Sequence, residues 1–292
     1  MNGKCKLCGN EGELEESHFI PRFVGKWIKK TSITGYLREY NEPHKRAQDT
    51  AKEYWLCGKC EDKLSVWETK FAKAVFHPFV SGKSSVALYE DWMSKFCASL
   101  SWRTLTYIRF KNPKKDQTDE YYEMIGKAEH HLANYILGKV DNLNQYEQHL
   151  FPLDAIDSTT SPDLPSNINR YFLRTMAMDI VGNDTDLFIY TKMPCFMLLG
   201  VVECKAPGKL RQSRIALKQG EISPREYYWP DGFVNYIVEK ANVVSSAYES
   251  IPQEQRDKIE QYVIDNPDKA VNSKLFEAFI HDYKMFGDDV FR

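Results

Sequence analysis

The residues best suited to chemistry in this chain are four cysteines in two close pairs, Cys5-Lys6-Leu7-Cys8 and Cys57-Gly58-Lys59-Cys60. A C-x-x-C knuckle puts two thiolates on one side of a metal ion with little chain strain, and two knuckles complete the tetrahedral, all-protein shell of a structural zinc ion. Gly9 after the first pair and Gly58 inside the second suit the tight turns such knuckles need. The stretch 9–56 between the pairs exceeds the gap of a compact zinc ribbon, so something further is inserted there. Cys97, Cys195 and Cys204 lie in apolar runs and read as small core residues.

The insert contains Glu15-Glu16-Ser17-His18-Phe19-Ile20-Pro21, and the second knuckle runs into a segment with Leu64, Trp67, Phe71 and Val75 at helical spacing. A first C-x-x-C, an acidic-His-apolar-apolar-Pro stretch, then a second C-x-x-C opening a helix resembles the zinc-containing HNH endonucleases, a ββα-metal family with a treble-clef zinc knuckle. The resemblance covers residues 1 to about 80. It implies hydrolysis of phosphodiester bonds, with His18 as the general base and a second, hard divalent ion, Mg²⁺ or Mn²⁺, on oxygen ligands. Glu61, directly after the second knuckle, is the leading ligand for that ion and a catalytic residue with His18; Glu16 and Glu68 are further candidates.

The chain departs from the family's pattern just before the histidine, where Ser17 stands in place of the usual aspartate. Because a strand reverses its face at each residue, Glu16 could replace that aspartate only across a bulge. The family's middle asparagine has no clear match; Gln48 and Asp49 fall in that region. His44 and His77 read as surface or capping residues, and the adjacent His130 and His131 on a helix cannot point the same way.

Arg22, Lys26, Lys29, Lys30, Arg38, Lys45 and Arg46, interleaved with Phe23, Trp27 and Tyr36, give the insert a positive bias suited to neutralising phosphates without sequence preference. DNA is the expected partner, with RNA left open. Residues 1–85 hold 15 Lys and Arg against 11 Asp and Glu, within a chain whose net charge is −2. A basic front on an acidic body permits nucleic-acid contact without demanding it. A second reading therefore stands beside the nuclease: a non-catalytic zinc-finger module that binds nucleic acid or a partner protein.

With 42% hydrophobic and 27% charged residues, the chain has the composition of a globular protein with a sizeable core. It opens without a basic-then-apolar leader and contains no long apolar span, so a cytoplasmic, reducing setting without membrane insertion is expected. The expected fold is α+β: a zinc-stabilised HNH-like domain over 1–85, then an α-rich domain over 86–292 that regulates, oligomerises or binds a partner. Helices are expected from Leu88 to about Phe110, from Glu120 to about Val140, from Ile168 to Ile180, and in three segments after Gly232; the helix following Cys60 should stop before Pro78. DLFIYTK and PCFMLLGVVE read as a strand pair, residues 151–167 as a long loop or linker, and the polar middle with Gly35, Asn41 and Pro43 as a turn-rich or hairpin insert. A small nuclease unit on an α-rich body is similar in arrangement to effectors of bacterial anti-phage defence.

Overall fold

A computed structural model describes residues 1–39, 45–111, 113–115 and 117–291. Asn41, Pro43 and His44 lie outside the described residues. The front of the chain consists of β1 (Asn2–Lys4), β2 (Glu11–His18), α1 (Arg22–Lys30), β3 (Lys52–Cys57), α2 (Gly58–Phe71) and α3 (His77–Val80). Strands β1, β2 and β3 form an antiparallel sheet in that order. Opposite Glu15 and Glu16 of β2, β3 offers Leu56 and Tyr54, so Trp55 is an extra residue on β3. The bulge turns both Trp55 and Leu56 inward, where alternation would have buried only one of them.

The helix that opens at the second knuckle does not stop before Pro78. A π-helical stretch, Ala72–Phe76, joins α2 to α3, and Pro78 sits in the first turn of α3. Proline lacks the N–H for an ordinary i to i−4 bond, but in a first turn that donor is not required.

The body begins with β4 (Ala87–Glu90) and α4 (Trp92–Phe110), followed by α5 (Asp119–Leu137) and β5 (Gln148–Pro152). Residues 88–90, expected to be helical, are a strand because they pair with a segment some 130 positions away. After α6 (Ile168–Arg174) come β6 (Ala177–Gly182), β7 (Leu187–Met193), β8 (Phe196–Glu203) and β9 (Gln219–Ile222), which is the partner of β4. The expected helix to Ile180 thus ends at Arg174, since the residues from Ala177 are taken up by pairing with β7. The chain closes with α7 (Phe233–Glu249), α8 (Gln253–Asp265), α9 (Pro267–Val271) and α10 (Lys274–Phe286).

The expected strand pair β7 and β8 is the centre of a four-stranded antiparallel sheet ordered β5-β8-β7-β6. Phe151 and Pro152, read as the start of a linker, belong to its edge strand β5. Side chains of β7 and β8 alternate between two apolar layers, as a pleated strand requires. Ile189, Leu198 and Val202 face α4, while Phe188, Tyr190, Leu199 and Val201 face α6 and α7. Burial on both faces explains why PCFMLLGVVE is an almost unbroken apolar run.

Helix α4 lies across one face of this sheet, and α2 packs on the far side of α4. The front has no core of its own: Leu14, Phe19, Trp55, Leu56 and Leu64 share one apolar cluster with Trp102 and Leu105 of α4 and with Ile125 and Leu132 of α5. Each such fully buried side chain contributes roughly 1.5–3 kcal/mol, so the front and the body stabilise one another. Among the described residues, no helix is long and apolar enough to cross a membrane.

Candidate functional site

The cysteine knuckles come together. The four sulfurs of Cys5, Cys8, Cys57 and Cys60 lie within 4.8 Å of one another, and Cys8 Sγ is 3.8 Å from Cys57 Sγ. A tetrahedron of zinc–sulfur bonds about 2.3 Å long has edges of about 3.8 Å, so the donors fit in kind, number and spacing. The first knuckle is closed by bonds from Cys5 N to Asn10 O (2.9 Å) and from Gly9 N to Cys5 O (2.9 Å). Gly9 makes that turn at φ +79°, a conformation costly for any residue with a side chain. Lys6 N then bonds Trp55 O at 2.8 Å, tying this knuckle to β3, which delivers Cys57 and leads directly into α2 with Cys60. Burial opposes ionisation of Cys5, but backbone bonds at Cys8, Cys57 and Leu7 outweigh it and lower its thiol to about 7. Burial raises Cys8 and Cys60 instead. A metal cation would reverse that cost and hold the set as thiolates.

Strand β2 divides the residues after the first knuckle between two faces. His18 points to the loop before β3, where its Nε2 lies 3.0 Å from Asp49 Oδ2. An aspartate oxygen accepts, so Nε2 is the donor, and in a neutral ring Nδ1 is then the nitrogen with the lone pair. Asp49 in turn accepts from Thr50 N and lies 3.6 Å from Lys52 Nζ. Burial pushes its carboxyl up, but the His18 bond, Thr50 N and Lys52 together hold it below the usual carboxylate range. Glu16 is on this face too, bonded to Lys52 Nζ at 2.7 Å.

On the other face, buried Ser17 donates to the Glu15 carbonyl at 3.3 Å and lies near enough to the Glu61 carboxylate of α2 to favour its charged form. Burial is the main cause of Glu61's raised pKa; Ser17 and Arg103 lower it, while Glu68 and Glu15 raise it further. Glu15, rather than Glu16, is therefore the acidic residue that β2 turns toward the helix. A Cβ on Gly58 would lie 2.6 Å from Glu15 Oε1, so the glycine makes room for that carboxylate at the start of α2. Glu68 is bonded to Arg103 Nη1 at 2.7 Å.

The sequence candidates thus form three groups: His18 with Asp49; Glu16 with Lys52; and Glu61 with Ser17, near Glu15 and Glu68. Among the described residues, the cysteine quartet is the one set of three or more Cys, His, Asp or Glu ligand atoms gathered closely enough to hold an ion. The carboxylates near Glu61 outnumber the one guanidinium among them, and their oxygens suit a hard divalent cation in kind.

Of the basic residues, Arg22, Lys26 and Lys30 lie on one exposed face of α1, four positions apart. Lys45 and Arg46 are exposed as well, with Arg46 4.5 Å from the centre of the Tyr36 ring. Lys29 donates to Gln48 O at 2.6 Å, and Arg38 is half-buried, which lowers its pKa. Glu15 and Arg103 were not singled out by sequence reasoning. Arg103 did leave a signal, a lone arginine inside the apolar run SLSWRTLTYI. No known family, curated protein or solved structure matches the chain, so its functional reading rests on this geometry.

Proposed function

We propose that this chain is a metal-dependent endonuclease of the HNH type, acting on DNA, with its zinc held by Cys5, Cys8, Cys57 and Cys60. The observation that carries the reading is the His18–Asp49 bond at the end of β2 away from the zinc knuckles, with Nε2 as the donor. His18 Nδ1 makes no hydrogen bond among the described residues and can take a proton from the water that attacks phosphorus. Asp49 then stabilises the imidazolium and fixes the ring's orientation. Glu61 would supply one carboxylate to the divalent ion, whose chemistry is to neutralise charge on the phosphate and the leaving 3′ oxygen; Glu15 and Glu68 lie near it but do not gather with it into a three-ligand set. The stripe Arg22, Lys26 and Lys30 neutralises backbone phosphates and so orients the duplex without reading its sequence.

One observation favours a second reading, a non-catalytic zinc module that binds nucleic acid or a partner: Ser17 replaces a carboxylate, and Arg103 already neutralises Glu68. Plasmid cleavage by the zinc-loaded chain in Mg²⁺ or Mn²⁺ separates the two. His18→Ala should lower the rate about 100-fold or more with zinc still bound, and chelation of the added ion should abolish it. No cleavage by the native chain in either metal would sink the nuclease and leave the binding module.

A further inference from the structure

Strand β1 covers β2 only along Glu11–Glu13, so beyond that point the outer edge of β2 has no strand beside it among the described residues. On the inner edge, Phe19 N bonds Ala51 O at 3.1 Å, and backbone groups alternate in direction along a strand, so the His18 carbonyl faces the open edge. An unpaired carbonyl at that depth is costly, and an unrestrained strand end would let the histidine shift. Its partner comes from the body. Arg103 Nη1 on α4 donates to His18 O at 2.9 Å and bonds Glu68 Oε1 at 2.7 Å.

Arg103 is only 2% exposed, and its other nitrogens lie near Ser99 O and Ser99 Oγ at 3.4 and 3.5 Å, so the guanidinium is restrained along its whole length. It also acts on Glu61, whose carboxylate it favours in the charged form. One side chain thereby touches the strand that presents His18 and the helix that presents Glu61 and Glu68. Helix α4 is itself fixed against the four-stranded sheet, with Thr104 Oγ1 2.7 Å from Thr191 Oγ1 of β7. The zinc knuckles anchor one end of β2, and the body anchors the other.

We infer that Arg103, a residue of the central helix and not of the zinc unit, is a positioning residue of the His18 site. The role rests on the reading of His18 as the general base; the placement of His18 by Arg103 does not. Lysine at this position keeps the charge but, on a shorter and unforked stem, cannot serve both Glu68 and the His18 carbonyl.

The test is Arg103→Lys in the full zinc-loaded chain, with zinc content, thermal midpoint, kcat and KM for plasmid cleavage, and the NMR signals of the His18 ring all measured. With zinc bound and the midpoint near that of the native chain, kcat should fall about 10- to 100-fold at unchanged KM, as misplacement of a reacting group by a fraction of an ångström does. Native kcat in that variant would overturn the proposal. If the native chain cleaves nothing, the nuclease reading fails separately, and the ring signals decide: they should shift in Arg103→Lys, and unshifted signals overturn the placement. Should the variant lose its zinc and unfold, a crystal structure of the native chain decides instead, an Arg103 turned away from His18 O being the overturning result.

Discussion

Two layers flank the four-stranded sheet, and they are held by different kinds of contact. On the front, α4 is buried on nearly every side and carries Ser94, Ser99, Ser101, Arg103, Thr104 and Thr106 into the interior. Four of these polar groups reach three other elements: Ser94 to Tyr135 of α5 (2.6 Å), Ser101 to Gln148 of β5 (2.6 Å), Thr104 to Thr191 of β7 (2.7 Å) and Thr106 to Glu129 of α5 (2.8 Å). On the back, α7 buries Phe233, Ile237 and Ala241 but leaves Val234, Val243 and Tyr248 exposed, and α8 buries nothing. The front is wired by the hydroxyls of one central helix, whereas the back combines apolar area with bonds spread over several elements, such as Asn167 Nδ2 to Ala241 O (2.7 Å) and Tyr171 to Tyr190 (2.8 Å). The proposed site, which would have to hold a base and carboxylates within tenths of an ångström, calls for the first kind of construction.

The largest test of this contrast is to deprive the cysteine quartet of the zinc it is built to hold. Cys60→Ser, or stripping the native chain with a strong chelator, deletes an interaction that amounts to about 10 kcal/mol or more in isolated zinc modules. Amides of β1–β3 should lose their protection from hydrogen exchange, while those of β7 and β8 keep theirs. Uniform loss across both regions would mean that the shared core unfolds as one unit.

A smaller effect is expected on the back, at Asp282 of α10, which is fully buried and accepts from Asn169 N, Arg170 N and Arg170 Nε at the start of α6. Burial raises its pKa, and those three bonds are what hold the charge. Asp282→Ala leaves Arg170 and two backbone donors without their partner and should cost about 3–5 kcal/mol in urea unfolding. Zinc content should stay unchanged; loss of zinc would show that the two layers are not independent.

The smallest effect is a pH dependence. Lys192 of β7 is fully buried, facing the back, with its Nζ 2.6 Å from both Phe172 O and Met193 O. Burial lowers its pKa to about 7, against the ordinary 10.5. Between those values the unfolded chain holds a proton that the folded chain has lost, so stability rises with pH across this window and is lowest below pH 7. A neutral amine still has two hydrogens for its two carbonyls. Lys192→Met should remove a rise of about 1 kcal/mol per pH unit between pH 7 and 10, read as the difference from the native chain in urea unfolding. Parallel curves for the two chains would place a partner beside Lys192 that keeps it charged.

The parts legible in the sequence were those set by local spacing. The cysteine pairs, the second knuckle running into α2, and the helices α5, α7, α8 and α10 all follow from short-range periodicity and caps. Helix α5, for example, begins where Thr118 accepts from Tyr121 N and ends at Gly138 in the left-handed conformation. Where partners came from far along the chain, spacing misled. Ala87–Glu90 became a strand through pairing with Gln219–Ile222, and the helix at Ile168 was cut short by pairing of β6 with β7. At the candidate site, His18 and Glu61 could be named from motif order, but Glu15 could not be preferred to Glu16. That choice belongs to the two faces of β2 and to the space above Gly58.

What the sequence by itself determined was the donor chemistry: which side chains can bind a soft ion, accept a proton or neutralise a phosphate, and which of them are neighbours along one element. Tertiary structure alone decided which of them meet. Asp49 reaches His18 because the chain returns after α1 to pair β3 with β2, and Arg103 reaches the His18 carbonyl because α4 packs beneath the front. Both contacts join residues far apart in the chain, and only the burial of a shared core fixes such distances, which no local periodicity encodes.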